Sequence, residues 1–228
     1  MSTEPISRAE SAPCPTTDAP SRRWIGAAAL TAMSAYVGAI LVAPQQDAAN
    51  DIQLQDFLGN RGPLLAASWL LMLVCGLAWL LLVTGLRGRV EPGFARDLMV
   101  AAAVAGQAVA WAGASLDAAF AAPTSRAVPL PVYEAFGEAG HLAMAAGTAA
   151  TGLALIGLSR CATPQLWGTT MSRATAVAGA ILVLAAVIGP VSAPVYALWL
   201  LLAAIQLLRS APSASVTTAP GVAAPSSS

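Results

Sequence analysis

Three ionisable side chains stand where this chain could do chemistry: Asp117, Glu138 and His141. Glu138 and His141 are three residues apart, a spacing that places both on one face of a helix. Asp117 ends an earlier apolar run and is expected at similar depth on the neighbouring helix. Imidazole and carboxylates suit a divalent cation, and the same groups could relay a proton. Each residue also has a plainer explanation. Asp117 falls about one helical turn inside the membrane boundary, where a carboxylate stays hydrated. Glu138 is favoured by the helix dipole at an N-terminus, and His141 by the membrane interface. The spacing leaves the metal open, calls for no cofactor and assigns no catalytic residue.

Other chemistry is sparse. Gln107 and Gln206 sit within apolar runs and are expected to hydrogen-bond neighbouring helices, each contributing about 1 kcal/mol. There is no GxSxG, HExxH, Walker loop or dinucleotide fingerprint, and a single histidine cannot ligate a bis-histidine haem. Cys14, Cys75 and Cys161 form neither a CxxC pair nor a disulfide framework. Cys75 reads as a small buried hydrophobe.

The elements that must position these groups follow from composition. Of 228 residues, 57% are hydrophobic and 10% charged, too few charges to coat a water-soluble globule. Mean hydropathy is +0.69, and the apolar residues lie in long blocks, the mark of membrane spans. Net charge is zero with no dense basic run, which excludes nucleic-acid binding. The blocks predict an all-α, six-helix transmembrane bundle over 23–209, with spans 24–43, 63–86, 98–121, 140–158, 174–189 and 191–208. The last two are short and meet at a turn around Gly189, Pro190 and Pro194. The tails, 1–22 and 210–228, are rich in Ser, Thr, Pro and Ala, and are expected to be disordered.

Arginine sets the expected orientation, because positive residues are retained on the cytoplasmic side. Arg22, Arg23, Arg87, Arg89, Arg96, Arg160, Arg173 and Arg209 flank one set of span ends, against Arg61 and Arg126 on the other. Both termini are therefore expected in the cytoplasm, with the chain in the plasma membrane. Ser21-Arg22-Arg23 partly resembles a twin-arginine export signal, but five further spans follow, so it reads as an anchor for the first helix.

Span three carries Ala102, Gly106, Ala110, Ala114 and Ala118 at every fourth position, and span four Ala139, Ala143, Gly147 and Thr151. Small residues let backbones approach closely, which matters in lipid, so these two spans are expected to form the tight centre. The Trp and Tyr residues read as interface anchors and packing, with Trp79 a mid-span packing residue. The stretch 47–60 reads as an amphipathic helix in the first outer loop, either a lid or a plain connector.

The layout has a family likeness. Asp47 through Asn60-Arg61-Gly62 into SWLLMLVCGLAWLLLVTGLRGR, an outer loop ending in Tyr133-Glu134, a Gly-rich fourth helix, and a loop with Pro164 and Trp167-Gly168 together resemble a group of bacterial six-helix membrane proteins. That group is catalogued as a domain of unknown function, akin to family 4386. The resemblance covers roughly Trp24 to Arg209, and Gln165 stands where the group commonly has a basic residue. It implies the topology and brings no active-site residues.

Together these features point to a multi-pass protein of the lipid bilayer acting as a non-catalytic structural, regulatory or accessory component. A membrane-protein partner or further copies of itself stay open. Two other functions keep definite requirements. Transport of a small solute needs a hydrated path from Gln107 and Asp117 to the cytoplasmic side. A metal-dependent membrane enzyme needs Asp117, Glu138 and His141 to converge.

Overall fold

The computed structural model describes residues 22–45, 48–121, 128–163, 166–188 and 192–209. The readings made for the tails, for Asp47, for Arg126, for Pro164 and Gln165, and for the turn at Gly189 and Pro190 lie outside these residues. The described chain is all-α. Its helices are α1 (Arg22–Val42), α2 (Asp51–Arg87), α3 (Phe94–Ala118), α4 (Leu130–Cys161), α5 (Thr169–Ile188) and α6 (Ser192–Arg209), with a 3-10 turn at Ala119–Ala121. All six are long and apolar enough to cross a membrane, making this a multi-pass membrane protein. Large apolar side chains such as Leu41, Leu81, Leu142 and Leu184 face outward, as a lipid solvent requires.

Helix ends differ from the sequence reading in three places, each with a local cause. The stretch 47–60 is no separate surface helix: from Asp51 onward it is the start of α2, which runs 37 residues through Pro63. Asn50 caps it by accepting from the Gln53 N–H at 3.0 Å, while Gln53 Oε1 accepts from the Ala49 N–H at 2.8 Å. At the helical rise α2 is about 55 Å long, so its first turns project beyond about 30 Å of hydrocarbon. There Leu54 and Leu58 are buried with Phe120 in a small apolar cluster flanked by Leu130 and Tyr133.

The second difference is at α4, which starts at Leu130 and not at 140, taking Tyr133 and Glu134 out of the loop. Pro131 suits a first turn, where its missing N–H costs nothing. The Leu130 N–H donates to Asp51 Oδ1 at 2.7 Å, which ties the starts of α2 and α4 together. Third, α5 begins at Thr169, five residues before the expected 174, which brings it to 20 residues. Pro194 lies in the first turn of α6, where a proline is tolerated.

The six helices form a closed ring in chain order, each packed on the next and α6 on α1. Neighbours run antiparallel. Gly85 sits against Ile25 and Gly38 against Leu71 for α1–α2, while Gly26 sits against Leu208 and Tyr36 against Tyr196 for α1–α6. The closest seam is α3–α4. A Cβ on Gly147 would stand 2.8 Å from Gly106 O and 2.9 Å from Ala110 Cβ, and one on Gly113 would stand 2.6 Å from Gly140 O. The facing glycines are seven residues apart on each helix, two full turns. Gly152 and Gly179 make the equivalent approach between α4 and α5. Small side chains here replace hydrophobic burial as the means of association.

Candidate functional site

The residues first singled out lie toward the end of α3 and the first part of α4. Asp117 lies in the last turn of α3, and its side chain is outside the described atoms. Glu138 and His141 are both exposed on α4. His141 Nδ1 is 2.8 Å from the carbonyl oxygen of Gly137, one turn back. A carbonyl only accepts, so Nδ1 carries the proton and Nε2 is the free nitrogen. Among the described residues no three His, Cys, Asp or Glu side chains are grouped to hold a metal ion.

His141 instead belongs to a larger feature. A cavity of about 650 Å³ lies inside the ring, and every one of the six helices contributes to its wall. Tyr36 comes from α1, Cys75 from α2, Gln107 from α3, Thr148 and Thr151 from α4, Leu182 from α5 and Tyr196 from α6. His141 and Ser192 line it at the end of the ring away from most of the arginines. From His141 to Thr151 the wall extends about 15 Å along α4, roughly half a hydrocarbon thickness. Ala110, Ala145, Gly147, Ala185 and Ala193 make the space, because a ring of large side chains would fill it.

The other half of the ring is solid. Trp79, Leu82 and Leu86 of α2, Met99 of α3, Leu155 and Leu158 of α4, and Trp199, Leu200 and Leu207 of α6 are all at most 2% exposed. Trp79 stacks edge-on against Trp199 at 5.8 Å and against Tyr196 at 5.9 Å between ring centroids. Thr175 is buried among them and accepts from Trp199 Nε1 at 3.1 Å while its hydroxyl donates to Met171 O at 2.8 Å. The cavity is therefore a cup whose floor is aromatic and aliphatic.

Its polar groups sit on the wall. Thr148 Oγ1 donates to Met144 O at 2.9 Å and Thr151 Oγ1 to Gly147 O at 3.0 Å, so both hydroxyl protons are used within α4 while the oxygens still accept. The Tyr196 hydroxyl and the Cys75 thiol both face the cavity. No hydrogen bond joins the Gln107 carboxamide to any described residue. It packs with Trp111 over Gly76, where a Cβ would collide with both side chains. The Trp111 indole N–H is likewise buried with no acceptor among the described residues.

Gln107 was visible in the sequence as a polar residue in an apolar run, but as a helix-to-helix bond. Tyr36 and Tyr196, expected as anchors or packing residues, pack edge-on at 5.0 Å inside the ring and face the cavity, a place the sequence did not mark as a site. What could have marked them is their helical position, well inside α1 and at the fifth residue of α6. No family model, curated protein or solved structure matches the chain.

Proposed function

We propose that this protein is a non-catalytic binding protein of the plasma membrane that holds a small lipophilic molecule in the cup of its helix ring. The observation carrying this reading is the cavity itself: about 650 Å³, lined by all six helices and closed at one end by a packed floor. Its volume is that of small-molecule pockets, and its lining combines apolar walls with a few hydrogen-bonding groups. Among the described residues of the wall no hydrogen bond couples a nucleophile to a base, and the apolar lining supports binding with a regulatory or accessory role.

Arginine placement supports an orientation in which the solid half faces the cytoplasm and the cup opens toward the outer leaflet, with both termini inside. Transport would need a way through the half that holds Trp79, Leu155 and Leu200. The packed floor favours retention of the ligand over its passage.

Native mass spectrometry of protein taken directly from membranes tests the reading. The wild type should retain a small molecule that organic extraction releases, and Ala145→Phe, which places a ring in the cup, should not. Equal occupancy in the two proteins would contradict it.

A further inference from the structure

We infer that the occupant is an uncharged single-chain amphiphile whose hydroxyl-type head is held deep in the cup by Gln107; this rests on the binding reading above. Charge is the first discriminant. Among the described residues the lining contains no Asp, Glu, Lys or Arg, and His141 stands at the mouth. An ionised head would enter a low-dielectric site without a counter-ion, a costly burial.

Hydrogen-bond inventory is the second. Gln107 offers two donors and an acceptor, and none is taken by a described residue. Thr148 and Thr151 offer only acceptors, since their protons are committed to α4. A pure acceptor would satisfy Gln107 and neglect the threonines. A hydroxyl donates and accepts, and so matches both walls.

The third is shape. Ile40 and Leu142 border the cavity near its mouth, and the remaining lining is Met72 and Leu182 with small alanines, a surface for an alkyl or isoprenoid body. Methionine adds adaptability without polarity. The extent of the cup, about 15 Å along α4, suits one chain and not the paired chains of a phospholipid.

The test uses purified full-length protein in detergent and tritiated hexadecan-1-ol, with unlabelled hexadecan-1-ol, hexadecane and, at pH 9, palmitate as competitors. Saturable binding of the alcohol is expected, with palmitate the weakest competitor. Gln107→Leu should raise Kd for the alcohol about three- to tenfold, the worth of one net hydrogen bond, and leave hexadecane competition unchanged. Thr148→Val removes an acceptor without disturbing the helix and should act in the same direction, so the result does not hang on one variant's folding. Equal competition by all three compounds, or an unchanged Kd in both variants, overturns the head-group assignment while leaving a pocket. Failure of all three compounds to bind, or binding undiminished in Ala145→Phe, overturns the pocket reading itself.

Discussion

Trp199 Nε1 donates to Thr175 Oγ1 at 3.1 Å, joining α6 to α5 beneath the cavity. Trp199 is 2% exposed and Thr175 0%, so neither group has recourse to water. Thr175→Val keeps the shape and strands the indole N–H, a loss of about 1–3 kcal/mol. Thermal unfolding in detergent should show a lower midpoint for Thr175→Val and a near-normal one for Thr175→Ser. Equal midpoints for valine and wild type would remove this bond from the account of the floor.

The α3–α4 seam gives a second, sharper contrast between two glycines of one helix. A methyl group at Gly147 meets Gly106 O at 2.8 Å, whereas at Gly137 it meets nothing within 4 Å. Gly147→Ala should destabilise by about 1–3 kcal/mol through overpacking. Gly137→Ala should be neutral or stabilise by up to about 1 kcal/mol through helix propensity. Denaturant titration of the two variants side by side reads the difference, and a Gly147→Ala protein as stable as wild type would mean the helices stand further apart.

Asp51 accepts from the Leu130 N–H, a bond between residues far apart in sequence that fastens the two projecting helix starts. Removing the acceptor in Asp51→Ala should cost about 0.5–2 kcal/mol, as for other helix caps, and most of it locally. Amide hydrogen exchange should quicken over 130–133 and not over the floor residues. Asp51→Asn keeps an oxygen in place and should exchange far less. Uniformly faster exchange along α4 would count against a local role.

Much of the fold was legible because lipid imposes one rule: every spanning backbone must satisfy itself, so apolar blocks become helices. What could not be read were the ends. Pro63 looks like a breaker, yet α2 continues through it because Leu54 and Leu58 find a buried place beyond it. Tyr133 and Glu134 looked like loop until the Asp51 carboxylate, nearly eighty residues away, gave α4 an earlier start. The cavity was hidden for a different reason. It is a space left by Ala110, Ala145 and Ala193, and the same residue type also signals close packing, as between Ala110 and Gly147. His141 was noticed as a ligand candidate, and its place at the mouth depends on five other helices.

Orientation makes a separate prediction. In a protein otherwise free of cysteine, Gln55→Cys should react with a membrane-impermeant maleimide added to intact cells, and Gly88→Cys should react only after permeabilisation. Both positions are exposed at opposite ends of α2 and its following turn. The reverse pattern would place the termini outside.

The central claim is a cup closed at its floor, and paired cysteine accessibility tests it most directly. Thr148 lines the cavity, while Ala154, less than two turns further along α4, is 0% exposed in the packed half. In the cysteine-free background Thr148→Cys should be modified by N-ethylmaleimide, more slowly when the cup is occupied, and Ala154→Cys should stay unmodified from either side of the membrane. Modification at both positions would reveal a path through the ring, and modification at neither would show that the ring encloses no accessible cavity.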